Sequence, residues 1–250
     1  KIIVNADDFG FSKGINQGII RAFKEGIVTS STMMMNMPYV EHGFLLYKGN
    51  EDLGLGVHLN VTAGKPVSKF VPSLVKESGV FYYINEIEKH ANKDDLYTEM
   101  KAQIDKFISF GYYPTHLDSH HYAGKFTNIR DVIYILADEY ELPVRIDKQE
   151  DKEYAKSLGI KVVDYVISDF HGDSANKEFF ENEIRKYPFE SIVELVTHPG
   201  YMDNDAMQRT SYNIQREREL QELIKLKYSM LFEKEDIKLI NYRDLKYINR

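Results

Sequence analysis

Short apolar runs alternate with amphipathic stretches from one end of the chain to the other. Runs such as Ile2-Ile3-Val4 and Val193-Glu194-Leu195-Val196 are rich in residues that suit a pleated strand. The pattern predicts strands near 2–6, 27–33, 55–60, 115–119, 144–147, 160–163, 192–197 and 237–241. Helical spacing predicts helices near 13–24, 96–110, 128–141, 177–186 and 211–226. In the second of these, Leu96, Met100, Ile104, Phe107 and Ile108 share one stripe. Strand-helix alternation implies parallel strands joined by crossover helices. Seven or eight such strands in 250 residues point to an α/β fold, a (β/α) barrel of mostly parallel strands rather than an open doubly wound sheet. No repeat or linker interrupts the pattern, so residues 1–250 are expected to form a single domain with an irregular insertion near 61–93.

Polar side chains collect where the apolar runs stop. The first run ends in Asn5-Ala6-Asp7-Asp8, the third in His58-Leu59-Asn60, the fourth in His116-Leu117-Asp118-Ser119-His120-His121, and the seventh in Thr197-His198-Pro199-Gly200. In parallel α/β folds the C-terminal strand ends build the active site, so four such clusters converge on one mouth. Period-two alternation places His116, Asp118 and His120 on one face. A barrel wall has little use for three ionisable groups on a face unless they are paired or bind a metal.

Asp8, His58 and His120 offer one carboxylate and two imidazoles, a donor set that suits Zn²⁺, Mn²⁺, Fe²⁺ or Co²⁺ and leaves positions open. Magnesium prefers oxygen ligands. Asp7 is then placed to take a proton from an activated water, and His198 to protonate a departing amine. Plainer roles stand beside these. A strand-end histidine also serves as a hydrogen-bonded structural residue. Asp7-Asp8 is a possible helix cap, and Ser12 caps the following helix equally well. His116 and His121 are open between supporting and structural work. His42, His90 and His171 read as surface residues, Met33-Met34-Met35 as packing, and Arg216-Glu217-Arg218-Glu219 as a solvated helix face.

Composition narrows the field. A net charge of −7 argues against nucleic acid as a partner. The absence of cysteine removes disulfides and thiol chemistry and is compatible with a cytoplasmic location. No stretch is long and apolar enough for a membrane helix, and the charged start does not resemble a signal peptide, so no membrane partner is expected. Asp8-Phe9-Gly10 matches a kinase tripeptide, but the upstream kinase elements have no room before it.

Several ordered blocks are familiar: IVNADDFG at 3–10, SKG at 12–14, GIVTSST at 26–32, GVHLNVTAGKPV at 56–67, PTHLDSHH at 114–121 and THPG at 197–200. In these the chain resembles the YdjC-like carbohydrate deacetylases, of the chitooligosaccharide deacetylase type. The resemblance implies a distorted (β/α) barrel and a hydrolase that depends on one divalent metal, usually Mg²⁺ in the family. The implied substrate is an N-acetylated oligosaccharide containing N-acetylglucosamine. Asp8, His58 and His120 would be the ligands, Asp7 the general base and His198 the general acid. A metal-activated water would attack the acetamide carbonyl. Asn5, Asn60, Asp118, His121 and Arg145 would bind substrate or support the ligands, and a homodimer is expected by analogy. Family members commonly read DSHHHVH, where this chain has Asp118-Ser119-His120-His121-Tyr122-Ala123-Gly124. The later histidines are absent, so the wall of the substrate pocket differs. Three rivals stand beside deacetylation: a glycosidase pairing Asp7 with Asp118 or Glu194, a metal-dependent phosphoester hydrolase, and a non-catalytic sugar-binding barrel. Phe81, Tyr82 and Tyr83 are candidate sugar-stacking residues.

Overall fold

The computed structural model describes residues 1–248. Seven strands are present among them: β1 (Ile2–Phe9), β2 (Ser30–Met33), β3 (Gly54–Leu59), β4 (Leu117–Ser119), β5 (Tyr165–Ile167), β6 (Val193–Thr197) and β7 (Leu239–Ile240). They form one sheet with the path β4-β3-β2-β1-β6-β5, and β7 joins beside β1. The pairings of β1 with β2, β6 and β7, of β3 with β4, and of β5 with β6 are all parallel. This is the expected α/β architecture of mostly parallel strands. No helix among the described residues is long and apolar enough to cross a membrane.

By internal packing the chain divides into two compact units. The first takes Lys1–Met33, Pro38–Leu55 and the chain from Val163 onward. Every residue of β1 is buried. One edge of β1 pairs with β6 from Ile2 to Ala6, and the other is shared, β7 meeting Ile2 and Ile3 while β2 meets Asn5, Ala6 and Phe9. The register slips between Ala6 and Phe9, a bulge that holds both aspartates. The helix Lys13–Glu25 starts at Ser12, whose side chain accepts from the Ile15 N–H as a cap should. It buries Ile15, Ile19 and Ala22 and presents Gly14 and Gly18 to the loop after β6. A Cβ on Gly18 would lie 2.5 Å from Gly200 Cα, so the two backbones touch with no room for a side chain. Val163, Ile192, Tyr242 and Leu245 pack with Ile3 at the other end of the unit.

The second unit takes Met34–Met37 and Gly56–Val162. Its helices Lys93–Ser109 and Thr127–Glu139 pack together, the first burying Leu96, Met100, Ile104 and Phe107. The 61–93 region is irregular as expected. A turn through Gly79 (φ +74°) lets Val75 and Phe81 bridge, and Leu74, Phe81 and Ile87 go inward.

Several local expectations need correction. Residues 144–147 are not a strand: only Val144 bridges, to Leu117, by the Leu117 N–H to the Pro143 carbonyl and the Arg145 N–H to the Leu117 carbonyl, and no further pair follows among the described residues. Residues 160–163 are not a strand either. The pairing begins two residues later, at β5, where Tyr165 meets Val193. The helix Val40–Tyr47 was not anticipated. Phe81 is core, which removes it from the sugar-stacking candidates, while Tyr82 stacks on His90 and Tyr83 lies beneath Lys76. Met33, Met34 and Met35 are fully buried, as packing residues should be.

Candidate functional site

In the first unit the β1 bulge sets the geometry. Asp8 has φ +70°, a left-handed conformation that a non-glycine residue adopts only where its surroundings hold it. The bulge releases Asp7 and Asp8 from strict strand alternation. Asn5 supports the pair: its amide donates to Asp7 Oδ1 at 2.9 Å and to Thr32 Oγ1 at 3.2 Å. The turn beyond is closed by Asn16, whose Oδ1 accepts from the Gly10 N–H at 2.6 Å.

His198 follows β6, with Nε2 3.9 Å from Asp7 Oδ2. Its Nδ1 is buried without a hydrogen-bond partner among the described residues. Although 21% of the side chain stays exposed, the packing round the ring disfavours its charged form. That burial lowers His198 to about 4, against the pull of Asp7 and Asp8. The backbone of the loop is pinned: Glu219 accepts from the His198 N–H at 2.5 Å, and the Gly200 N–H donates to the Arg216 carbonyl at 3.2 Å. Tyr212 donates its hydroxyl to Glu219 and stacks on His171 at 4.0 Å. Burial pushes the Glu219 carboxyl up to about 7.

Arg216 Nη2 donates to Asp8 Oδ2 at 2.6 Å, and both side chains are buried. The 216–219 run is therefore not a solvated face, although Arg218 alone keeps to that expectation. The helix Ile214–Leu226 buries Arg216, Glu219, Leu220, Leu223 and Leu226 together. That spacing is itself a signal in the sequence, two charges lying on the apolar stripe of an amphipathic helix.

In the second unit a buried chain of polar contacts starts at Arg145, whose Nη2 lies 3.0 Å from Asp118 Oδ2. Asp118 Oδ1 in turn meets His58 Nδ1 at 2.7 Å. His58 Nε2 and His120 Nδ1 face each other at 3.1 Å. The expected common face of His116, Asp118 and His120 is only partly formed, since β4 spans just Leu117–Ser119. His116 turns instead to Thr115 Oγ1 and packs on Gly56, where a Cβ would approach its ring within 2.6 Å. His121 (φ +58°) bonds Thr62 Oγ1 through Nδ1 at 3.0 Å and stacks on His120. Asn60 spends its side chain on the adjoining loop, accepting from the Thr62 and Ala63 N–H groups and donating to Asn36 and the Ala63 carbonyl.

Buried aspartate and histidine side chains among the described residues, Asp7 and Asp8 in the first unit and His58, His120 and Asp118 in the second, are of the kinds that hold a metal ion. Within the second unit the donor chemistry favours His58 and His120 as ligands over Asp118. Asp118 is engaged by both His58 Nδ1 and Arg145, the arrangement of a carboxylate that orients a metal-binding imidazole from behind. Two ligand nitrogens each about 2.1 Å from one ion and at right angles stand about 3 Å apart, close to the 3.1 Å between His58 Nε2 and His120 Nδ1. The residues thus fit a divalent cation.

The chain has relatives among known proteins. The profile of the YdjC-like protein family matches residues 1–233. A carbohydrate deacetylase from Geobacillus stearothermophilus is 39% identical over 242 residues, covering 97% of this chain and 96% of the relative. A chitooligosaccharide deacetylase from Proteus mirabilis is 33% identical, with 98% of each chain covered. A crystal structure of an Enterococcus faecalis V583 protein, named for a proposed role in cellobiose-phosphate cleavage, superposes with a TM-score of 0.92 at 32% identity and 98% coverage of both chains. From its motifs, its sheet and this end-to-end similarity, the chain belongs to the YdjC-like family.

Proposed function

We propose that this protein is a metal-dependent hydrolase that removes the N-acetyl group from N-acetylglucosamine-containing oligosaccharides. Asp8, His58 and His120 hold the divalent ion in this reading. The observation that carries it is the facing pair of imidazole nitrogens, one ring fixed from behind by Asp118, in a chain whose relatives are named carbohydrate deacetylases. When bound, the ion supplies Lewis acidity, polarising the acetamide carbonyl and acidifying water.

The protein's own groups handle the protons. Asp7, oriented by Asn5, takes the proton as the water oxygen bonds to the carbonyl carbon. Burial keeps His198 neutral near pH 7, so it does not enter the reaction as a ready-made acid. Asp7 Oδ2 is 3.9 Å from His198 Nε2, and a small side-chain rotation closes that gap. The proton collected by Asp7 is then the one His198 delivers to the sugar nitrogen as the C–N bond breaks. Acetate and the free amino sugar are the products.

Glycosidic cleavage, suggested by the name of the Enterococcus relative, needs a second carboxyl able to act as an acid. Asp118 is engaged by His58 and Arg145, and Glu194 is fully buried and accepts the Tyr242 hydroxyl. Deacetylation is therefore the stronger reading.

The test is to load the protein with Zn²⁺, Mn²⁺ or Mg²⁺, incubate it with N-acetylated oligosaccharides, and assay both acetate and chain length. Acetate at unchanged chain length is expected. The Asp7→Asn variant should retain the metal and lose at least about 100-fold in kcat. Shortened chains without acetate, or wild-type turnover in that variant, would overturn the assignment.

A further inference from the structure

His198 delivers the last proton of the proposed reaction, yet among the described residues its ring has no hydrogen bond to hold it. Nδ1 has no partner there, and Nε2 stands 3.9 Å from Asp7 Oδ2, outside hydrogen-bond range. The ring's place must come from its backbone and from the rings packed against it. Both lead to Tyr212. The His198 N–H donates to Glu219 Oε2 at 2.5 Å, and the other oxygen of Glu219 accepts the Tyr212 hydroxyl. That hydroxyl also accepts from the Gly172 N–H at 2.7 Å. The Tyr212 ring stacks on His171 with centroids 4.0 Å apart, and meets His198 edge to face at 5.9 Å. His171 meets His198 nearly at right angles, 6.0 Å away. Gly172 and His198 lie in the loops that follow β5 and β6, which are neighbours in the sheet. One phenol thus ties two adjacent strand ends to the helix Ile214–Leu226, which carries Glu219. Stability alone is a poor reason for this. Glu219 is fully buried, and an apolar side chain of the same volume would fill its place without the cost of burying an acid.

We propose that Tyr212 is a positioning residue that holds His198 at its distance from Asp7, acting through Glu219 and the ring of His171. The proposal rests on the reading of His198 as the group that protonates the sugar nitrogen. Transfer from Asp7 to Nε2 needs the 3.9 Å gap closed by a small rotation, and a loop free to drift would miss it. A misplacement of about 1 Å in a reacting group costs up to about 100-fold in rate. Loss of the Tyr212 hydroxyl strands the Gly172 N–H and one oxygen of Glu219, so both loops are released together. The sugar itself touches neither group in this arrangement, so the signature is a fall in kcat at unchanged KM.

Two measurements test it on wild type, Tyr212→Phe, Glu219→Ala and Glu219→Gln. Acetate release from N-acetylated oligosaccharides by the metal-loaded protein gives kcat and KM. Proton–nitrogen spectra of protein labelled in its 8 histidines give the His198 backbone N–H, identified as the signal lost in His198→Gln. Tyr212→Phe keeps the ring and removes the hydroxyl. It should lose about tenfold or more in kcat, with KM within about twofold of wild type. Its His198 N–H signal should move toward the position seen in Glu219→Ala. Glu219→Gln keeps an oxygen to accept that N–H, and should recover most of the kcat lost in Glu219→Ala. Circular-dichroism melts establish that each variant is folded. If Glu219→Ala does not fold, Tyr212→Phe and Glu219→Gln decide against wild type. Tyr212→Phe with wild-type kcat, or with an unmoved His198 N–H, overturns the proposal. So does a loss confined to KM, which would make Tyr212 a substrate contact instead, and so does a Glu219→Gln as slow as Glu219→Ala. A wild type that releases no acetate defeats the deacetylase reading, and the His198 N–H then decides on Tyr212 by itself.

Discussion

Asp147 shows how much one residue's surroundings alter its chemistry. Its Oδ2 accepts from Ser119 Oγ at 2.5 Å, and burial pushes the carboxyl up to about 7. Gly124 leaves it that space, since a Cβ there would come within 2.6 Å of Asp147 Oδ2. An aspartate in the unfolded chain titrates near 3.9, so between about pH 4 and pH 7 the folded state holds a proton that the unfolded state has lost. The sign is therefore the reverse of that for a salt-bridged aspartate: this group's stability is full below about pH 4 and is lost as pH rises through about 7. Glu219 acts in the same direction. Urea midpoints of the wild type should fall between about pH 4 and pH 7. In Asp147→Asn that fall should narrow by about 1–4 kcal/mol. A fall of the same size in the variant would rule Asp147 out as its source. Gly124→Ala should destabilise the protein by about 1–3 kcal/mol, read from the same melts, because the Asp147 carboxyl must leave its hydrogen bond to admit the methyl group.

Among elements, the contact of the helix Lys13–Glu25 with the loop after β6 governs His198. The Tyr201 N–H donates to the Gly14 carbonyl at 3.1 Å, and Gly18 lies against the Gly200 backbone. Intrinsic propensity favours alanine over glycine inside a helix by about 1 kcal/mol. A Cβ 2.5 Å from a backbone atom outweighs that gain, because neither backbone can yield cheaply. Gly18→Ala should therefore lower stability by about 1–3 kcal/mol and lower kcat by shifting His198. Unfolding curves and acetate release measure the two effects separately, and a stabilised, fully active variant would contradict the packing argument. Strand and helix order was readable at this scale because periodicity is a local property: β1, β3, β6 and the five helices expected near 13, 96, 128, 177 and 211 lie within a few residues of expectation. The helix Val40–Tyr47 was missed although Val40, Phe44 and Tyr47 keep helical spacing, since Tyr39 provides no side-chain cap to mark its start. Residues 160–163 were misread because a β-branched run looks the same whether or not a partner strand lies alongside.

For the whole molecule, the proposed ion couples function to folding. A ligand that binds only the native state stabilises it, by about 2.7 kcal/mol at one hundred times its Kd. For a chain of this size that corresponds to a rise in Tm of about 5–10 °C. Chelation should remove this stabilisation together with deacetylation, and restoring the ion should recover both. In Asp8→Asn the rise in Tm should be largely absent, and a full rise there would exclude Asp8 as a ligand.

Reading the letters in order was enough to reach the α/β class, the parallel strands and the family, and to single out Asp7, Asp8, His58, His120 and His198 as the candidates proposed for the chemistry. Alternation and strand-end polarity are written along the chain, and each can be recognised without knowing what lies across from it. Partnership cannot be read that way. Arg216 on Asp8, Glu219 beneath His198, Asp118 behind His58 and the raised carboxyl of Asp147 join residues far apart in the chain, or depend on how completely water is excluded from them. A charged letter looks the same on a solvated helix and in a dry cleft. Its energy differs between the two because burial removes solvation and makes each nearby charge count, so those pairings emerged only once the chain had folded.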